Sequence, residues 1–468
     1  MTLMKKLRAL FGAQDMTVGS PMSCLLKFSV PLLIGNLAQQ LYSTVDAIII
    51  GRSAWGDDGL AAVGLTMPII NLLLVLFMGI STGASILSAQ YCGAKDRATL
   101  NKCVGASLFL IILSGLIMMV GGYFLSPLLV EITSPPSPEV GLGATQYLQI
   151  FFLGIIGNGI YNIVSGILRG LGDSMMPLLF LVIACILNIF LDLALVDSMG
   201  VAGVALATII AQGISACLCL WRICHIRHIC DVEKRHILHP DKHLMLKIGA
   251  LGLPSGITQG IFAMSAMFVQ SLTNSLGQAM VAANTAIMRV DGFAMMPNFT
   301  FGTAATTYIG QNVGANKGER LKPGLKAMLQ LGLISSTVLV AAILIFGRNI
   351  IGWFTETELT LQLGIQGLQT LAFGYICFSV TQVLQGTMRG AGETKVPMYI
   401  SVIGTVIIRM PLAYLMAYLT RNAEWPNGQP VALFGSLLLA WVLSMLMTIV
   451  SYRMKFWRRK LGSLGNEL

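Results

Sequence analysis

Two acidic residues, Asp46 and Asp192, lie inside strongly apolar segments of the chain, where an ionisable side chain usually has a function. A charged residue near the centre of a spanning helix costs about 2.5–3.5 kcal/mol on insertion scales, so each acid needs a compensating partner. Asn188 lies one helical turn before Asp192, on the same face. Two carboxylates, the Asn188 amide and the Thr208 hydroxyl would together suit a hard monovalent cation, or a proton shared by the two acids. The alternative for Asp192 is an acid at a helix end, in reach of outside water.

The elements that must position these residues are membrane-spanning helices. Of the 468 residues, 55% are hydrophobic and 11% are charged, and the mean hydropathy is +0.77. The apolar runs are long enough for helices to cross a bilayer, whereas outer-membrane strands would alternate over segments of about ten residues. The sequence therefore predicts an all-α polytopic membrane protein.

Counting the apolar runs predicts twelve spans. They cover residues 28–50, 59–84, 104–127, 144–168, 177–196, 201–222, 246–272, 279–307, 326–347, 364–387, 397–420 and 431–452. In the first span Asn36, Gln40, Ser43 and Asp46 recur at steps of four, three and three, so one helical face is polar. That helix also contains Pro31, and it is too polar to be a simple anchor.

The positive charge of the chain is distributed as in a multi-pass membrane protein. The net charge of +10 sits mainly in short connections and at the termini, which does not suggest nucleic-acid binding. With both termini in the cytoplasm, the basic connections fall inside and the acidic or neutral ones outside. We therefore expect a bacterial plasma (inner) membrane protein in this orientation.

A basic segment at residues 221–247 separates six predicted spans from the next six and contains all five histidines and two cysteines. A metal site there is conceivable, but no pair has the spacing of a closed site. A basic segment lying against anionic headgroups is the favoured interpretation. The predicted domains are accordingly an N-terminal bundle with the cation site (1–222), a basic cytoplasmic linker (223–245) and a C-terminal bundle (246–468).

The two halves repeat each other. LRGLGDSMMP at 168–177 is matched by MRGAGETKVP at 388–397, and AQYCGAKD at 89–96 by GQNVGANK at 310–317. Equivalent helices are separated by an even number of spans, so both halves face the same way. Such parallel repeats are typical of alternating-access transporters with a central site between the bundles.

The halves differ in their ionisable residues. Asp46 and Asp192 align near Val269 and Leu412, so the acids are confined to the first half, while the second contains Arg289, Asp291 and Arg409. For these three a structural role and a role in substrate binding stay equally open. Candidate substrate contacts are Asn36, Gln40, Asn158, Asn162, Met288, Phe293, Met295, Gln382 and Gln385, since methionine and aromatic groups adapt to varied ligands.

The chain resembles the MATE (multidrug and toxic compound extrusion) transporters along essentially its whole length. The resemblance rests on PLLIGNLAQQLYSTVDAIIIG, the RGLGD and RGAGE loops, QYCGAKD with QNVGANK, and IIRMPLAY. It implies a prokaryotic transporter whose twelve transmembrane helices form two pseudo-symmetric six-helix bundles in a V around a central cavity. It also implies efflux of cationic amphiphilic drugs against H+ or Na+ entry.

Within that family the chain is similar to the DinF-like side. Asp46 matches the family's first-helix acid, Asn188 with Asp192 matches the fifth-helix pair, and Thr208 matches less closely. The NorM-type acids of the seventh and tenth helices are lacking here, where Gln259 and Gln382 are among the polar residues.

The mechanism that these residues favour is antiport. A proton or Na+ at Asp46 would neutralise the first helix and let its outer half move about Pro31, whose missing N–H weakens the helix there. Drug would leave, and the two bundles would rock back as the cation passes to the cytoplasm. We expect a monomer with no cofactor, with small drug-like cations and the lipid bilayer as its partners.

Other functions are compatible with parts of this pattern. A flippase for a lipid-linked saccharide would need a strongly cationic cavity, and an exporter of one specific metabolite would share the antiporter's architecture. A receptor or assembly factor would need neither repeats nor acids confined to one bundle. An enzyme is not expected, since no metal motif, nucleophile elbow or phosphate loop occurs.

Overall fold

The structure is a computed structural model that describes residues 13–53, 55–423, 425–454, 457 and 458, with the side chains of 43, 47, 57 and 266 excepted. Ser43 of the predicted polar face therefore lies outside the described side chains. Residues 1–12 and 459–468, on which the predicted location of the termini rests, also lie outside.

All regular secondary structure in the described chain is helical, and no strand occurs there. The helices are α1 Pro21–Arg52, α2 Gly56–Gly93, α3 Arg97–Ile132, α4 Pro138–Gly170, α5 Met175–Met199, α6 Val201–His225, α7 Lys234–Leu238, α8 Lys242–Ser275, α9 Gln278–Ala294, α10 Met296–Gly314, α11 Leu321–Gly352, α12 Glu358–Gly390, α13 Lys395–Val402, α14 Met410–Leu419 and α15 Pro430–Arg453. A 3₁₀ turn, Gly318–Arg320, precedes α11, and a π-helix, Ile403–Arg409, joins α13 to α14. The all-α membrane fold is thereby confirmed. Ten segments of the described chain are long and apolar enough to span a bilayer.

The chain divides into two compact units. One comprises residues up to Thr17 together with Leu26–Gly256, and the other Val18–Leu25 together with Ile257–Leu468. Each has its own apolar core, running from Ile50 to Cys230 in the first and from Val269 to Trp441 in the second. The division falls inside α1 and α8, so each of these helices contributes to both units.

Two of the predicted spans were wrong in detail, and proline explains both. The eighth predicted span, 279–307, is two helices that meet at Met295. Pro297, at the second position of α10, lacks an N–H and its ring clashes with the carbonyl four residues earlier, so one continuous helix is interrupted there. The eleventh span contains the π-helix, which ends two residues before Pro411 and is a wider turn that accommodates the proline.

The twin loops have the same local structure. Gly172 and Gly392 have φ angles of +86° and +88°, which glycine adopts without strain, and this explains the glycine in RGLGD and RGAGE. The acid that follows caps the next helix: Asp173 accepts from Met176 N at 3.1 Å, and Glu393 from Lys395 N at 3.0 Å. Asp173 also pairs with Arg222 at 2.7 Å, which ties the start of α5 to the end of α6.

The predicted linker, 223–245, is packed rather than free. Its first residues belong to α6, α7 lies within it, and Asp231 N donates to Asn101 Oδ1 of α3 at 2.8 Å. Burial raises the pKa of the Cys230 thiol to about 12, so this cysteine is a protonated packing residue. No group of three or more potential metal ligands occurs in the described part of the chain.

Helix α3 begins at Arg97 because Asp96 caps it. The Asp96 carboxylate accepts from Thr99 N at 3.0 Å. Hydrogen bonds from the Thr99 side chain and backbone lower the pKa of Asp96 below its ordinary value of 3.8. This cap explains why the third predicted span, 104–127, starts too late: the helix continues beyond the apolar run.

We expect Asp96→Ala to lower the free energy of unfolding by about 1 kcal/mol at neutral pH, whereas Asp96→Asn keeps the cap. Because the pKa is lowered in the folded state, the charged cap stabilises the protein above pH 3.8 and this stabilisation is lost as the pH falls through the lowered value. Thermal unfolding of the purified protein at neutral pH and below pH 3.8 measures both effects. Equal losses for the alanine and asparagine variants would contradict the capping role.

Candidate functional site

Helix α5 presents one buried face to its unit, and that face contains Asn188 and Asp192. The buried positions of the helix recur at steps of one, three or four, from Pro177 to Val196. Within this otherwise apolar row, Asn188 and Asp192 are both 0% exposed. Two polar side chains in a buried row need partners from neighbouring helices.

Asn188 bridges the two acids. In the amide orientation that satisfies both ends of the side chain, its Nδ2 donates to Asp192 Oδ2 and to Asp46 Oδ1, each at 2.9 Å, and its Oδ1 accepts from Thr208 N at 3.2 Å. The two carboxylate oxygens are therefore at most twice that donor distance apart. Helices α1, α5 and α6 meet here, so the four residues predicted as a cation site lie together.

The remaining polar groups leave one carboxylate oxygen of the site without a hydrogen-bond partner among the described residues. This oxygen is Asp192 Oδ1, which is buried. The Thr208 hydroxyl donates to Val204 O in its own helix at 2.9 Å, so it reaches the site as an acceptor. Tyr42 lies beside Asp46 and Thr208, and Tyr147 of α4 interacts with the same two residues. A proton or a small cation bound between the acids would relieve their mutual repulsion.

The other candidates of the first unit lie on α1 and α4. Asn36 and Gln40 are half-buried on α1. On α4, Asn162 Nδ2 donates to Asn158 Oδ1 at 2.8 Å, so these two amides form a pair. Pro31 is buried within α1, which is helical on both sides of it; the hinge at Pro31 stays a prediction.

The second unit encloses a cavity of about 420 Å³. Its lining is mostly apolar with several amides and hydroxyls, which is typical of small-molecule sites. The aromatic lining residues are Phe262, Phe299, Phe378, Phe434 and Trp441, the amides are Gln259, Gln270, Asn284, Gln382 and Gln385, and the charged residues are Asp291 and Arg409.

Four of the five substrate candidates predicted in this unit line the cavity: Met288, Met295, Gln382 and Gln385. Phe293 does not; it is 43% exposed. The reason is helical spacing: the lining residues Met288, Asp291 and Met295 follow at steps of three and four on one helical face, and Phe293 lies off that face.

Two charged residues lie at the cavity. Asp291 accepts a short hydrogen bond from the Tyr375 hydroxyl. Arg409, the last residue of the π-helix, donates from Nη1 to Ser265 Oγ at 3.4 Å. Among the aromatic groups, the Phe378 ring contacts the Trp441 ring at a tilt of 44° and packs edge-on to Phe299, with centroids 5.6 Å apart in both pairs.

Sequence reasoning missed several residues at these sites. Tyr42 lies one helical turn before Asp46, a spacing that could have identified it. No such signal marks Tyr147, because it comes from a helix distant in sequence. Phe378 and Trp441 were also missed, since apolar residues of a membrane helix look alike whether they line a cavity or contact lipid.

Comparisons with known proteins identify the family and agree with the all-helical fold. The MatE family model matches residues 31–194 and 254–415, once in each repeated half. The probable multidrug resistance protein YoeA of Bacillus subtilis is 29% identical over 92% of this chain and 93% of its own. The probable multidrug resistance protein NorM of Thermotoga maritima is 26% identical, over 84% and 85%. A MOP superfamily transporter from Pyrococcus furiosus superposes with a TM-score of 0.85 at 22% identity, covering 99% of both chains.

Proposed function

Since the chain belongs to the MatE family of membrane transporters, we propose that it is a secondary active efflux antiporter. It exports cationic amphiphilic compounds in exchange for H+ or Na+ across a bacterial plasma membrane, with both termini in the cytoplasm. Members of this family are transporters and not enzymes. The names of its relatives as multidrug resistance proteins support a small-molecule cargo.

The observation that carries the proposal is the position of Asn188 between two carboxylates. One amide nitrogen lies 2.9 Å from an oxygen of Asp46 and of Asp192. Two carboxylates this close inside a membrane protein repel each other unless one binds a proton or both hold a cation. The site therefore has a stable loaded state and a costly empty one, which is what coupling to an ion gradient requires.

The loaded and empty states differ in the charge on α1. Asp46 is on α1, whereas Asn188 and Asp192 are on α5. A bound cation holds the Asp46 carboxylate of α1 close to Asp192 of α5. When the cation leaves, the two carboxylates, and with them the two helices, repel each other. Pro31 provides the position where α1 can bend, because a proline removes one helical hydrogen bond.

The charge of the second-unit cavity does not favour a lipid-linked saccharide flippase. One guanidinium, that of Arg409, and one carboxylate, that of Asp291, are the charged groups among its described lining residues. A pyrophosphate would need several cationic groups at the site.

Vesicles reconstituted with the purified protein test the proposal. Efflux of ethidium, a cationic aromatic dye, is followed by fluorescence under an imposed pH gradient and then under an imposed Na+ gradient. We expect one gradient to drive efflux well above that of protein-free vesicles, and an ionophore that collapses it to stop transport. Equal dye movement with and without either gradient would contradict antiport, and the absence of any transport would favour a receptor or assembly role.

A further inference from the structure

Arg409 is a half-buried cation with few hydrogen-bond partners among the described residues. Its Nε is buried and has none among the described residues. Its one hydrogen bond to a side chain, to Ser265 Oγ, is long at 3.4 Å. A guanidinium has five N–H donors and stays charged in a protein. Most of the N–H groups of Arg409 therefore have no hydrogen-bond partner among the described residues. Leaving such a group unpaired inside a membrane protein is costly.

The nearby carboxylate of Asp291 does not accept hydrogen bonds from Arg409. Asp291 accepts the hydrogen bond of the Tyr375 hydroxyl instead. Arg409 and Asp291, both within the described chain, form no ion pair of the kind seen in Arg222–Asp173 and Arg348–Glu358, so they lie beyond ion-pair distance. The negative charge of Asp291 acts on Arg409 electrostatically, but the Asp291 carboxylate accepts no hydrogen bond from the Arg409 guanidinium.

The space beside Arg409 suits a small aromatic molecule. Arg409 lines the cavity of about 420 Å³, and Phe378 and Trp441 are among its aromatic lining residues. Cavities of roughly 300–1,000 Å³ with apolar walls and a few polar groups hold drug-sized ligands. Gln382 and Gln385 lie on the same lining and can bond a polar substituent.

We propose that the second-unit cavity binds aromatic carboxylates, with the ligand's carboxylate on the Arg409 guanidinium and its ring against Phe378 and Trp441. Guanidinium and carboxylate form two parallel charge-assisted hydrogen bonds, which would satisfy the buried Nε. The cavity thus accepts acids and zwitterions as well as the cations expected from the first half of the chain. This inference rests on the proposed efflux function in treating the ligand as cargo.

The test compares two fluorescent probes that differ in one group. Dansylglycine carries an aromatic ring and a carboxylate, and dansylglycinamide replaces the carboxylate with a neutral amide. Binding to the purified full-length protein in detergent is titrated by fluorescence. We expect Arg409→Gln to weaken dansylglycine binding by about tenfold or more and to leave dansylglycinamide within about twofold. Arg289→Gln, an exposed arginine on α9, should change neither.

Two further variants distinguish a loss of carboxylate binding from a misfolded protein. Arg409→Lys keeps the charge but loses the planar fork, so dansylglycine should bind several-fold more weakly than to the parent protein. Asp291→Asn removes the nearby negative charge and should tighten dansylglycine binding. Equal losses for both probes in the Arg409 variants, or dansylglycine no tighter than its amide in the parent protein, would overturn the proposal. Binding in detergent needs no ion gradient. The binding result can therefore be interpreted even if the vesicle experiment contradicts antiport.

Discussion

Replacing Asp192 with asparagine is expected to reduce gradient-driven efflux to the level of protein-free vesicles, and Asp46→Asn is expected to do the same. Asparagine has nearly the shape of aspartate, so the packing around the buried Asp192 and the half-buried Asp46 is preserved while one charge is lost. The remaining carboxylate then has a neutral neighbour, and the repulsion that made cation binding favourable disappears. Transport becomes uncoupled even though the cavity of the second unit is intact.

The matched control for this prediction is Asp197→Asn. Asp197 lies on the same helix, α5, but is exposed, so it changes the charge of the helix without touching the site. Its efflux should stay near that of the parent protein. Thermal unfolding and membrane yield must be similar for all three variants, so that a loss of transport is a loss of coupling. Full gradient-driven efflux in either Asp46→Asn or Asp192→Asn would remove the carboxylate pair from the mechanism.

A Thr208→Val variant separates the geometry of the site from its charge. The backbone N–H of Thr208 donates to Asn188, and valine keeps this bond. The hydroxyl lies beside Tyr42 and Tyr147, and valine removes it. We expect efflux that persists but requires a steeper gradient, because an acceptor is lost while both charges stay. Efflux as low as in the aspartate variants would mean that the hydroxyl, rather than the carboxylate pair, is the essential ligand.

The part of the site that the sequence could predict is the part governed by helical spacing. Asn188 and Asp192 are four residues apart, and a helix places them on one face whatever surrounds it. Asp46 and Thr208 could be assigned to the same predicted site because an acid or hydroxyl in an apolar span needs polar partners. The partnership with Tyr147 depends on how α4 packs against its neighbours, which no local pattern encodes.

In the fold, too, some features follow from local sequence patterns and others depend on packing. The all-helical type of the fold follows from the apolar runs, because in lipid every backbone group must be bonded within the helix. The breaks do not: Pro31, Pro254, Pro297 and Pro411 all lie inside predicted spans, yet α1 and α8 are continuous and the chain departs from a regular α-helix near the other two. Whether a proline interrupts a membrane helix depends on how neighbouring groups satisfy the freed carbonyl. The π-helix that ends at Arg409 was missed for this reason.

A second large effect is expected at Gly83, where α2 crosses the first half of α8. A Cβ on Gly83 would lie 2.2 Å from Ile248 O, and one on Gly252 would lie 2.4 Å from Gly79 O. The glycines on α2, Gly79 and Gly83, are four residues apart, so both fall on the contacting face. Small residues at this spacing let two membrane helices approach with their backbones in contact.

Gly83→Ala is therefore expected to lower the free energy of unfolding by about 2 kcal/mol or more, because the clash is with backbone that no rotamer change can relieve. Alanine is otherwise favoured over glycine in a helix by about 1 kcal/mol, so the steric effect must exceed that gain. Gly64→Ala, on the same helix with nothing within 4 Å of the new Cβ, has the helix-propensity gain alone and should leave stability unchanged or raised. Thermal unfolding of the purified variants thus tests a difference in sign. If the two alanines shift the unfolding temperature in the same direction by similar amounts, α2 and α8 do not make this backbone contact.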